Sequence, residues 1–193
     1  MTRQRETPAE ARARRGAVDD PATVLNAAAR LLEVRPRSIE EVRRRLCEAG
    51  YRAELVDGAI DRLADLGILD DEAFARAWVE SRDRARPRGE RALRAELRRR
   101  GVGEEVISAT LGEREPAPTA GRGALVGMAS ETADGVAAAA LLARRGGAAA
   151  REPDPRKRRA RAYALLARNG FDPDVAARAV TAWLAGEVLR PGE

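Results

Sequence analysis

Three stretches of this chain share one reading frame: LCEAGYRAEL (46–55), LRRRGVGEEV (97–106) and LARNGFDPDV (166–175). Each holds a leucine, a glycine four later, a bulky apolar residue, and an apolar residue four further on. The residues are Leu46, Gly50, Tyr51 and Leu55; Leu97, Gly101, Val102 and Val106; Leu166, Gly170, Phe171 and Val175. A further apolar residue follows ten after each glycine: Ile60, Leu111 and Val180. Glycine just past the last turn of a helix adopts the left-handed conformation that side chains resist. In that cap the residue after the glycine packs on the residue four before it, which pairs Leu46 with Tyr51, Leu97 with Val102 and Leu166 with Phe171. A helix stop followed at once by a new helix, three times over, predicts an all-α chain: an elongated array of three tandem three-helix repeats.

Helix starts are marked as well as stops. Asp20-Pro21, Asp154-Pro155 and Asp172-Pro173 each put a carboxylate at the cap and proline in the first turn. Ser38 with Glu41 three later has the pattern of a capping box. Apolar residues recur at spacings of three and four: Val24, Ala28, Leu31 and Leu32; Ile39, Val42 and Leu46; Leu55, Val56, Ala59, Ile60 and Leu63. These signals predict helices over 21–34, 38–49, 53–66, 71–84, 88–100, 104–111, 130–145, 155–168 and 173–185. Residues 1–20 read as a disordered basic arm, 21–69 as repeat one, 70–111 as repeat two, 112–129 as a linker or insertion, 130–186 as repeat three and 187–193 as a tail. The first two repeat glycines are 51 apart and the last two 69. The proline- and glycine-rich insertion supplies the difference and leaves room for a hinge.

Composition fits a thin helical core. Of 193 residues 44% are apolar but only 3% aromatic, while 35% are charged. No apolar run approaches the length of a membrane span, and the start lacks the apolar stretch of a secretory signal, so a cytoplasmic place is expected. With Cys47 the only cysteine and no histidine, an intramolecular disulfide and an ordinary zinc site are both out of reach. Cys47 reads as a small half-buried filler. The usual histidine-based catalytic groupings fail for the same lack, and Asp70-Asp71 reads as a helix cap, so no enzyme and no cofactor are expected. The six aromatics fall mostly on core stripes or caps, Phe74 and Trp78 among them, which leaves few to stack on bases.

Charge is unevenly placed. Residues 82–100 carry a net +6 and residues 151–168 a net +5, although the whole chain is only +5. Arg86, Arg88, Arg91, Arg94 and Arg98 in the first stretch, with Arg156, Lys157, Arg158 and Arg159 in the second, are the candidate partner-binding residues. Arg91, Arg94 and Arg98 recur at helical spacing opposite Leu93 and Leu97. Such a face attracts phosphates or an acidic protein surface.

The segments SIEEVRRRLCEAGY (38–51), VDGAIDRLADLGILDDEAFARAWVESR (56–82) and RPRGERALRAELRRRGV (86–102) together resemble the RecX family of bacterial recombination regulators. Asp70, Asp71, Phe74-Ala75 and Trp78 follow the first glycine unit in the family's order, and Arg88-Gly89, Arg91, Leu93, Glu96 and Leu97 precede Gly101-Val102. The stretch 154–180 is similar to the family's last repeat. This resemblance implies tandem three-helix repeats and a modulator of RecA. Such a protein lies along the groove of the RecA filament on single-stranded DNA and restrains its growth, ATP hydrolysis and strand exchange. Repeats with polar outer faces fit a non-catalytic monomer, the lack of an apolar span leaves no membrane partner, and the basic stretches allow weak direct DNA binding. The other reading is a stand-alone helical DNA-binding protein, consistent with a pI near 10.4.

Overall fold

The computed structural model describes residues 6–116 and 132–188, and every regular element among them is helical. The helices are α1 (Pro8–Gly16), α2 (Pro21–Val34), α3 (Ile39–Ala49), α4 (Ala53–Asp65), α5 (Asp71–Ala85) and α6 (Glu90–Arg99). They continue with α7 (Glu104–Gly112), α8 (Ala133–Arg145), α9 (Gly147–Ala150), α10 (Pro155–Arg168) and α11 (Pro173–Val188). Nine of these answer the helices predicted above. Most of the insertion, residues 117–129, and the last five residues of the tail lie outside the described residues.

Contacts group the chain into two compact units. One is Met1–Ala75 with Arg98–Val106; the other is Arg76–Leu97 with Ile107–Glu193. In the first, α2 packs on α4 and both pack on α3. Its core is Val24, Ala28, Val42, Leu46, Val56, Ala59, Ile60, Leu63 and Leu69. In the second, α11 packs on α8 and α10, and the core gathers Leu141, Leu142, Leu166, Phe171, Ala176 and Val180.

Gly50, Gly101 and Gly170 all take positive φ, at 108°, 81° and 80°. The Tyr51 amide donates to the Leu46 carbonyl at 3.1 Å and the Phe171 amide to that of Leu166 at 3.3 Å. These are the bonds of a Schellman cap, which satisfies carbonyls that the helix leaves without partners. Leu46, Leu97, Val102, Leu166 and Phe171 are buried, and Tyr51 is half-buried. The apolar position after each glycine falls one residue later than the shared frame suggests. Leu55, Val106 and Val175 are half-buried, whereas the next residues, Val56, Ile107 and Ala176, are fully buried. A fourth cap of the same build was missed: Gly67 (φ 65°) closes α4, and the Ile68 amide donates to the Leu63 carbonyl at 2.9 Å.

Two expectations need correction. The arm over 1–20 is not disordered throughout: Pro8–Gly16 is helical, with Thr7 and Glu10 forming a complete capping box. That helix buries none of its residues, so its polar sequence carried no apolar stripe to betray it. At Ser38 only half the predicted box exists. The Glu41 amide donates to Ser38 Oγ at 3.2 Å, but the Glu41 carboxylate turns to arginines.

Candidate partner-binding surface

Arg91, Arg98 and Arg99 owe their exposure to the apolar stripe on α6. Leu93 and Leu97 face inward with no exposed surface, which turns the intervening positions outward. The three arginines at helical spacing are each tied to an acid. Arg91 meets Asp172 at 2.9 Å, Arg94 meets Glu90 at 3.0 Å, and Arg98 meets Glu104 at 2.7 Å. Arg88 donates to Asn169 Oδ1 at 2.9 Å and lies 3.7 Å from Glu96. Exposed pairs of this kind contribute little to stability, but they neutralise part of the face.

The second basic stretch is differently arranged. Asp154 caps α10 by accepting from the Arg156 and Lys157 amides at 2.8 and 3.4 Å, and both side chains are exposed. Arg158 turns back to the Glu152 carbonyl at 2.9 Å, and Arg159 reaches Thr181 Oγ1 at 3.2 Å. Among the described residues no carboxylate forms an ion pair with Arg86, Arg156 or Lys157. Arg99, which the candidate set omitted, shares that property and is exposed. These four cations are exposed and make no ion pair among the described residues.

Half-buried acids position the surroundings. In the second unit Glu96 accepts from the Trp78 indole at 2.9 Å and from Arg82 Nε at 2.7 Å, while the Arg82 guanidinium lies 4.3 Å from the centre of the Trp78 ring. Trp78, expected in the core, is therefore half-buried and polar in its role. Arg114, whose side chain is only 5% exposed, clamps Asp83 at 2.5 Å and Asp134 at 2.6 Å and donates to the Arg88 carbonyl at 3.2 Å. Asp134 also accepts from the Glu90 amide at 3.1 Å and so caps α6 from a distance in sequence.

In the first unit Glu41 binds Arg35 at 3.1 Å and Arg100 at 2.7 Å. Burial pushes its carboxyl upward, but the bond from Arg35 and the charges of Arg100, Arg35 and Arg37 outweigh that and hold it below the ordinary range. Asp70 accepts from the Glu72 and Ala73 amides at 2.7 and 3.1 Å, the cap that the sequence predicted. Asp71 does something else: it accepts from the Ile39 amide at 2.9 Å and caps α3. Burial raises its carboxyl despite that bond.

Among the described residues no group of three or more acids or cysteines could hold a metal ion, and no helix is long and apolar enough to cross a membrane. Cys47 is a free, half-buried thiol.

Two family models match the chain: the RecX first three-helix domain over residues 25–63 and the RecX second three-helix domain over residues 70–111. A relative from Mycobacterium sp. (strain KMS), called "Regulatory protein RecX", is 37% identical over 161 residues, which cover 82% of this chain and 80% of the relative. The protein of the same name from Thermobifida fusca (strain YX) is 34% identical over 158 residues, covering 82% and 77%. Among solved structures, RecX from Lactobacillus salivarius superposes with a TM-score of 0.67 at 16% identity, over 89% of this chain and 99% of that one, which speaks for the fold alone.

Proposed function

This chain belongs to the RecX family and has a regulatory role, and we propose that it acts, without catalysis, by binding the RecA filament on single-stranded DNA in the cytoplasm and restraining its ATP hydrolysis, extension and strand exchange. The observation that carries this reading is the run of RecX-matching sequence over both three-helix domains, joined to relatives called regulatory proteins over four-fifths of their length. Chemistry on the surface is compatible with it. Arg86, Arg99, Arg156 and Lys157 offer exposed cations to the acidic groups of a filament or to its phosphates. Arg88, Arg91, Arg94 and Arg98 already meet side-chain partners, which leaves less of their charge to attract a second protein. Arg158 and Arg159 have partners of their own and stand behind Arg156 and Lys157.

Binding tests the assignment of residues. Reversing Arg86, Arg99, Arg156 and Lys157 to glutamate together should weaken association with RecA filaments at least about tenfold and flatten its dependence on salt. Unchanged affinity and salt dependence would remove these four from the interface. The chain's basic pI favours a second reading, a DNA-binding protein acting alone. That reading requires tight, salt-sensitive binding to bare DNA without RecA.

A further inference from the structure

The helices that end at the repeat glycines, α3, α6 and α10, are equivalent in position but not in chemistry. Three residues before the leucine of each unit stand Arg43, Arg94 and Tyr163. The two arginines are held by acids. Arg43 lies 3.0 Å from Asp57 and 3.1 Å from Glu40, and Arg94 lies 3.0 Å from Glu90. Tyr163 is exposed, and among the described residues no side chain bonds its hydroxyl and no cation stands over its ring. The helices also differ in sign. α3 carries Glu40, Glu41 and Glu48, and α6 carries Glu90 and Glu96. α10 carries Arg156, Lys157, Arg158, Arg159, Arg161 and Arg168, and no acid.

Arg156, Ala160, Tyr163 and Ala167 fall on one face of α10, and all four are exposed. The alanines one turn to either side of Tyr163 leave its ring uncovered, where α6 has Arg91 and Arg98 at the same two positions. Arg159 stands one turn before the ring and Arg156 two turns before it. Arg159 bonds a hydroxyl, Thr181 Oγ1 at 3.2 Å, and makes no ion pair among the described residues. Lys157 and Arg168 are exposed on the flank. Most acids near this helix are engaged. Glu152 is buried and pairs with Arg161 at 2.7 Å, Asp154 accepts from the cap amides, and Asp172 pairs with Arg91. Asp174 is exposed at the start of α11, beside the end of α10 that bears Arg168 and far along the helix from Arg156.

We propose that this face of α10 binds single-stranded nucleic acid, with a base stacked on Tyr163 and the adjoining phosphates met by Arg156 and Arg159. An open ring among cations, on a helix without a carboxylate, fits a polyanion that carries flat unsaturated rings between its charges. In a duplex those rings are stacked on one another and their faces are closed, so Tyr163 adds affinity for single strands alone. An acidic protein surface would draw on the cations and not on the ring. Stacking reads no sequence, so the face accepts a strand of any composition. The inference rests on the filament reading only for where such a strand is met.

The test leaves RecA out. Fluorescence anisotropy of a labelled oligothymidine and of a labelled duplex, at low salt, follows binding by the full chain. The natural chain should prefer the single strand. Tyr163→Ala should weaken single-strand binding about tenfold and leave duplex binding unchanged. Tyr163→Phe keeps the ring and should bind as the natural chain does. Arg156→Glu with Arg159→Glu should weaken binding to both ligands and flatten its salt dependence. Tyr163 is no part of the second unit's core, so these variants keep the fold. Single-strand binding that survives Tyr163→Ala overturns the proposal. So does an equal loss on both ligands, a phenylalanine variant as weak as the alanine one, or a natural chain that does not bind the single strand. Dependence on Tyr163 that shows only with RecA filaments would put a protein surface on this face and overturn it too. The filament reading fails separately, on unchanged RecA ATP hydrolysis.

Discussion

Gly101 shows what one residue decides. Its φ of 81° excludes side chains on backbone grounds, and Glu40 fills the space where a Cβ would go. Gly101→Ala should therefore destabilise the first unit by more than about 1 kcal/mol, the ordinary cost of alanine in a left-handed cap. A urea midpoint measures this, and an unchanged midpoint would mean that the cap relaxes freely. Glu41 decides a pH response. Its carboxyl titrates lower in the folded chain than in the unfolded one, so its contribution is present above about pH 4.3 and is lost as pH falls through the lower folded value. Glu41→Gln should cost about 1–3 kcal/mol at neutral pH and lose less stability than the natural chain on acidification. Chemical denaturation at neutral and acid pH checks both signs. The glycines were legible in the sequence because a cap is a local event within six residues. Glu41 was legible only as the partner of Ser38, because its arginine at position 100 lies 59 residues away.

Elements follow the same division between near and far. Helix starts at Asp20-Pro21, Asp154-Pro155 and Ser38 were readable because the side chain bonds to amides two or three residues on. α1 was missed because a short helix with no apolar stripe has only its cap to announce it, and the Thr7–Glu10 box sat in an arginine-rich stretch read as a mobile arm. The clamp at Arg114 was also invisible. It follows α7 at the edge of a segment read as a linker, and its two acids lie 31 and 20 residues away. Yet it joins α5 and α8 to the chain that leaves α7. Arg114→Met should leave two half-buried carboxylates without their cation and cost about 2–4 kcal/mol, and adding Asp83→Asn and Asp134→Asn should restore part of that loss. Thermal or urea unfolding of the single and triple variants measures it. A single variant as stable as the natural chain would mean that water reaches the clamp.

For the whole molecule, repeated caps made the helical class and the tandem three-helix plan readable, and the RecX motifs made the family readable. Which cations remain available was not. Arginines at helical spacing look alike in sequence, and only the folded chain pairs Arg91 with Asp172 across 81 residues while leaving Arg86 and Lys157 exposed. The most direct measurement of the proposed role is RecA ATP hydrolysis on single-stranded DNA while this protein is titrated, with its binding to bare DNA followed beside it. Suppression at amounts well below one per RecA protomer, with weak binding to bare DNA, is the predicted result. Unchanged hydrolysis with tight binding to bare DNA would contradict it and favour a protein that acts on DNA alone.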